Sequence, residues 1–126
     1  MSLRAHVTQF IQLVERGQTV QAIEQFYAED VVVFENREMA RAGRDKCARF
    51  EREALAQYPE PPLAKALATA CDEATGRVFV EWLIRIKTQE GTFLRLEEVA
   101  VQRWAADRIV EERFYYQGMV DEGDDD

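Results

Sequence analysis

Histidine occurs once in these 126 residues, cysteine twice and proline three times, and no stretch approaches the ~18–20 uninterrupted apolar residues of a membrane helix. Each scarcity removes a class of function. With His6 alone, and with Cys47 and Cys71 lacking CxxC spacing, the sequence offers no metal-ligand pattern, and neither a metal nor a cofactor is expected. The two cysteines read as reduced, small, half-buried side chains of a cytoplasmic chain. Met1-Ser2-Leu3-Arg4 runs into a helical pattern without a secretory apolar core. Basic residues are also few, 16 against 24 acidic ones, for a net charge of −8. That balance argues against nucleic acid and against an anionic membrane surface, both of which need clustered Lys and Arg.

What is present is enough for one core. At 47% hydrophobic residues, a chain of this length buries roughly two thirds of the surface that its unfolded form exposes. The acidity is uneven: Asp121, Glu122, Asp124, Asp125 and Asp126 fall in the last six residues, and without them the charge is only −3. The expected organisation is therefore a single domain over residues 1–118 followed by a flexible acidic tail over residues 119–126.

Leu3, Val7, Phe10, Ile11 and Val14 follow the spacing of a helix with one apolar face, closed by Gly17. A second helix from about Thr19 aligns Ile23, Phe26 and Tyr27. Val31-Val32-Val33-Phe34 is short and β-branched and reads as a strand. Ala42-Gly43-Arg44-Asp45 opens a third helix with an apolar face of Cys47, Phe50, Ala54, Leu55 and Tyr58, which Pro59, Pro61 and Pro62 close. Arg77–Lys87, Phe93–Trp104 and Ile109–Gln117 read as strands joined by short turns, hence antiparallel neighbours. Leu63–Cys71 is ambiguous, because its alanines favour a helix while Leu63, Leu67 and Cys71 also fit a period of two. Helices first and strands afterwards is an α+β pattern.

The order of these elements resembles the SnoaL-like branch of the nuclear transport factor 2-like superfamily, which includes ketosteroid isomerases and polyketide cyclases. The residues carrying the resemblance are Phe10-Ile11-Gln12-Leu13-Val14 to Gly17, Ala22-Ile23 with Phe26-Tyr27-Ala28-Glu29-Asp30, the helix entry Ala42-Gly43-Arg44-Asp45, and the closing Arg108-Ile109-Val110-Glu111 to Tyr115-Tyr116. It implies a cone: a strongly curved, mostly antiparallel sheet wrapped around the third helix, with two N-terminal helices and a pocket between them. On that fold Leu63–Cys71 is a strand. Later strands carry apolar residues on both faces, as in Phe79 and Leu83 against Val80, Trp82 and Ile84. One face then lines the pocket and the other meets a second subunit, so the resemblance implies a homodimer through the outer sheet face.

Carried over position by position, the family's known chemistries lose most of their residues. The ketosteroid isomerase base falls at Glu35, where an apolar wall would raise a carboxylate's pKa. The tyrosine and aspartic acid of its oxyanion pair fall at Phe10 and Ala100, which cannot donate a hydrogen bond. A supporting tyrosine falls at Glu51, and another is retained as Tyr27. Losing both oxyanion donors costs several orders of magnitude in rate, so that mechanism is not expected. Cyclases and scytalone dehydratase use a pocket histidine, whereas His6 sits beside the apolar stripe of the first helix. The aspartate of limonene epoxide hydrolase-like members falls at Phe114.

A different set of carboxylates remains. If inward residues keep the parity of Ala100 and Tyr116, Glu98 and Glu112 point into the cavity with Glu35, and Arg85 is a counter-charge from the preceding strand. A one-residue slip would exchange them for Glu97 and Glu111, and ion pairs with Arg85, Arg95 or Arg113 would place them at the rim instead. Phe10, Tyr27, Phe50, Trp104, Phe114 and Tyr116 supply an aromatic lining for a small hydrophobic or carbonyl-containing ligand. Two functions fit: cofactor-free isomerisation, cyclisation or dehydration by Glu35, Glu98 and Glu112, or a non-catalytic dimeric binding module.

Overall fold

A computed structural model describes residues 2–124. Three helices, α1 (Leu3–Glu15), α2 (Thr19–Phe26) and α3 (Arg44–Leu55), accompany seven strands: β1 (Tyr27–Glu35), β2 (Glu38–Ala42), β3 (Leu63–Asp72), β4 (Arg77–Lys87), β5 (Thr92–Ala105), β6 (Arg108–Tyr115) and β7 (Val120–Asp124). One strongly curved sheet runs in the order β2-β1-β6-β5-β4-β3, with β7 also paired to β5. All pairs are antiparallel except β1 with β6. This is the expected α+β cone. Among the described residues no helix is long and apolar enough to cross a membrane.

The helices form where the sequence places apolar residues three and four apart. Ser2 caps α1 by accepting a hydrogen bond from the Ala5 N–H, and Val7 and Phe10 are buried on its inner face. α2 buries Ala22, Ile23 and Phe26, and α3 buries Cys47 and Ala48. α3 packs on α2, β1 and β2, which sets one wall of the cone. Gly43 opens α3 at φ 97°, a conformation that disfavours other residues, while its N–H bonds the Val31 carbonyl of β1 at 2.7 Å. Helix entry and sheet are thereby locked together.

Gly76, in the β3–β4 turn, has a tighter requirement. Its φ is 73°, and a Cβ there would lie 2.6 Å from the Trp104 carbonyl oxygen. The same turn accepts the Trp104 N–H at 2.8 Å, beside the β5–β6 irregularity at Arg103/Trp104. This contact fixes where the far end of β5 sits.

Leu63–Asp72 is a strand, as the resemblance implied and despite its alanines, because its pairing with β4 outweighs local propensity. The elements differ from the sequence reading in two places. Residues 38–41, which carried no element in the sequence reading, form with Ala42 the strand β2, an edge strand paired with β1. The acidic end is not a frayed tail over Val120–Asp124. Those residues pair with Thr92–Arg95 of β5, and Glu122 bonds Arg85 and Arg95, each at 3.0 Å, so opposite charges and a ladder hold it. Asp125 and Asp126 lie outside the described residues.

Candidate functional site

Inside the cone is a cavity of about 410 Å³, walled by the inner face of the sheet on one side and by α1, α2 and α3 on the other. Strand alternation decides which residues reach it. On β4 the inward residues are Trp82, Ile84 and Ile86; on β5 they are Leu96 and Glu98; on β6 they are Glu112 and Phe114, with Tyr116 following. Glu98 stands opposite Trp82 across β4 and β5, and Phe114 opposite Glu35 across β6 and β1. Glu97 and Glu111 point outward, where they pair with Arg95 at 3.4 Å and Arg103 at 3.2 Å.

Glu35, Glu98 and Glu112 therefore meet in one cavity, as do Phe10, Tyr27, Phe50, Phe114 and Tyr116. Two expected residues do not. Arg85 lies on the outward parity of β4, bonded to Glu122, with its guanidinium 4.3 Å from the Phe93 ring centre. Trp104 has the inward parity but lies among Phe10, Phe26 and His6, whose ring is 6.5 Å from its own. His6 is thus a half-buried partner of that cluster and does not line the cavity.

Two residues that sequence reasoning did not assign to the site complete it. Arg41, from β2, is the one cation among the described lining residues, and Glu51 enters from α3. Arg41 donates to Glu35 at 2.6 Å, and its guanidinium lies 4.0 Å from the Phe50 ring centre. The signal for Arg41 was weak, since β2 is five residues long and mostly exposed. Glu51 was visible as a position where the family carries a tyrosine.

The four carboxyls have different surroundings. Glu112 is 2% exposed and both its oxygens are engaged: Oε1 accepts from the Tyr27 hydroxyl, and Oε2 accepts from Gln102 Nε2 at 2.7 Å. Gln102 is itself oriented, because its Oε1 accepts from Trp104 Nε1 at 2.9 Å, leaving the amide nitrogen to face Glu112. Burial raises the Glu112 pKa, and the bonds from Tyr27 and Gln102 and the charge of Arg41 oppose that rise. Burial and the neighbouring Glu112 carboxyl hold the Tyr27 phenol well above its ordinary range.

Glu35 behaves oppositely to the sequence expectation. Partial burial pushes its pKa up, but a 2.5 Å bond from the Tyr116 hydroxyl and the bond and charge of Arg41 outweigh it, so the pKa is lowered. It is an ionised, fixed carboxylate. The bond to Glu35, with burial, in turn pushes Tyr116 up to about 12.

Glu98 has neither arrangement. No hydrogen bond or ion pair reaches it from the described residues, and burial, reinforced by the charges of Glu112, Glu35 and Glu51, raises its pKa to about 8. Glu51 is raised mainly by burial, against the charge of Arg41. Burial also raises the Cys47 thiol, in the same wall. Among the described residues, no group of three or more His, Cys, Asp or Glu is arranged to hold a metal ion.

Comparison with known proteins follows the same lines. No curated protein sequence matches the chain. Among solved structures, SalBIII is similar: it is an epoxide hydrolase/cyclase-like enzyme with a role in pyran ring formation in the polyether salinomycin. The TM-score is 0.76 at 13% identity, covering 91% of this chain and 90% of that one. An epoxide hydrolase of limonene epoxide hydrolase-like type from M. tuberculosis gives 0.73 at 14% identity, covering 90% and 80%. A nuclear transport factor 2-like protein of unknown function from Burkholderia xenovorans LB400 gives 0.70 at 14%, covering 91% and 82%. At these identities the likeness is one of fold. Residues 7–112, most of the chain, match the SnoaL-like domain, and the chain belongs to that family.

Proposed function

We propose that the cavity binds a small hydrophobic, carbonyl-containing molecule and carries out cofactor-independent acid–base chemistry on it, of the isomerase, cyclase or dehydratase kind, with Glu98 moving the proton. The observation that carries this reading is the Glu98 carboxyl, without a hydrogen-bond or ion-pair partner among the described residues, facing an apolar cavity beside three other carboxyls. A group with a pKa of about 8 is about nine-tenths protonated at pH 7, so it can donate a proton, while its ionised fraction accepts one. Glu35 and Glu112 then serve as fixed charge and hydrogen-bond acceptors that hold Tyr116, Arg41 and Tyr27 in place. Names of similar folds, a cyclase-like enzyme and an epoxide hydrolase, are in keeping with small-molecule chemistry.

The test uses 2-tetralone in D2O and follows exchange at its α-carbons by proton NMR. The expected result is exchange faster than in buffer, rising with an apparent pKa near 8, and a loss of about 100-fold in that acceleration in Glu98→Gln. Equal exchange with and without protein, or an unaffected Glu98→Gln, overturns the catalytic role. The full engagement of Glu35 and Glu112 by protein groups favours a second reading, a non-catalytic binding or accessory module. Binding of 2-tetralone without exchange supports it.

We also propose a homodimer through the outer sheet face. Phe79, Val99 and Tyr115 are exposed there at 40%, 40% and 50%, and they lie around adjacent strands, with Val99 opposite Tyr115. Arg77 and Arg103 toward one end of that face complement Glu81 and Glu97 toward the other. Sedimentation at ~10 μM should give a dimer, and Tyr115→Glu should give a monomer. The free thiols of Cys47 and Cys71 favour a cytoplasmic location.

A further inference from the structure

The cavity already shows how it holds a cation. Arg41 is seated between a carboxylate, Glu35 at 2.6 Å, and an aromatic face, Phe50 at 4.0 Å. A second pair of the same composition lies elsewhere on the wall, and no cation from the described residues reaches it. Glu98 and Trp82 are direct cross-strand partners on β5 and β4, both facing the cavity, and such partners have Cβ atoms about 5 Å apart.

The other polar groups sharpen the contrast. Two of the three tyrosines that line the cavity, Tyr27 and Tyr116, already donate to Glu112 and Glu35, and Arg41 donates to Glu35. No such donor from the described residues reaches Glu98 or Glu51, so the polar demand left on the wall is for a donor or a positive charge. Among the described residues, Arg41 is also the one cation lining a cavity walled by four carboxyls.

Resting on the reading of the cavity as a small-molecule site, we propose that its ligand carries a protonated amine on a flat or aliphatic body, with the ammonium seated between the Glu98 carboxylate and the Trp82 ring. The body occupies the apolar space bounded by Ile84, Leu96 and Phe114. Because Glu98 is largely protonated at neutral pH, seating the ammonium ionises it, and the carboxyl proton leaves to solvent as the N–H···O contact forms.

The experiment compares 2-aminotetralin with 2-tetralol, which share a ring system and differ in the amine, by titration calorimetry on the full chain. The amine is expected to bind at least tenfold tighter at pH 8. At pH 7 close to one proton should be released per amine bound, read from the dependence of the heat on buffer ionisation enthalpy. Glu98→Gln should bring the amine to the affinity of the alcohol. If the alcohol binds as tightly as the amine, or no proton is released, the cation inference is overturned and the cavity reading stands. If neither probe binds, both fall. The proton count is made on the unmodified chain, so the inference stays testable even where Glu98→Gln fails to fold.

Discussion

Of the four carboxyls lining the cavity, Glu35 on β1 and Glu112 on β6 are each engaged at both oxygens by protein donors, whereas Glu98 on β5 and Glu51 on α3 have none from the described residues. The two pairs hold the same number of carboxyls and differ in what their donors do. Tyr116 and Arg41 lower the Glu35 pKa, Tyr27 and Gln102 restrain the rise that burial gives Glu112, and nothing comparable from the described residues restrains Glu98. A carboxylate with donors around it is stabilised in its charged form, and one that is buried without them is stabilised in its neutral form. The first kind of residue orders a site, and the second leaves it a proton to exchange.

The contrast breaks most visibly with pH. Glu98 has a folded pKa of about 8, above its unfolded value, so its contribution to stability is complete below pH ~4.5 and is lost as pH rises through 8. That loss is on the order of 3–5 kcal/mol. Urea unfolding at pH 5 and pH 8.5 should show Glu98→Gln gaining on the parent protein by this order as pH rises. Glu35 has the reverse sign: its lowered pKa stabilises the fold above the ordinary carboxylate range, and that contribution is lost on acidification.

A smaller effect is expected from emptying the engaged pair. Glu112→Ala leaves the Tyr27 hydroxyl and the Gln102 amide buried without their acceptor, at a cost of about 2–4 kcal/mol in the same unfolding experiment. An unchanged midpoint would mean that the network contributes nothing to the fold. The smallest effect belongs to Trp104→Phe, which keeps an aromatic ring in the cluster while removing the indole donor to Gln102 and part of the ring volume. It should cost about 1–2 kcal/mol and leave the titration of Glu98 in place, as followed by carboxyl-carbon NMR.

Much of this contrast was legible in the sequence, for reasons that differ by residue. Alternation along β5 and β6 is a strict period of two, so the positions of Ala100 and Tyr116 carried Glu98 and Glu112 to the cavity. The same rule, applied to β4, sends Arg85 outward with Phe79, because Val80, Trp82 and Ile84 take the inner face. Arg41 was hidden because an edge strand that is mostly exposed has little apolar patterning to announce it. The direction of the Glu35 shift depended on Arg41 and Tyr116, six and 81 positions away, and no local pattern encodes that meeting. Trp104 kept its parity but lies beyond the cavity, under α1, where helix packing decides what it touches. The acidic end misled for a different reason: charge density suggests solvation, yet Glu122 finds two arginines on the neighbouring strands.

The two tryptophans have an optical consequence. Trp82 forms part of the cavity wall beside Glu98, while Trp104 is packed among rings with its indole N–H bonded to Gln102. Emission from Trp82 should respond to whatever enters the cavity, and emission from Trp104 should hold steady until the helices detach. A Trp104→Phe chain, with one indole left, turns intrinsic fluorescence into a direct readout of occupancy and needs no label.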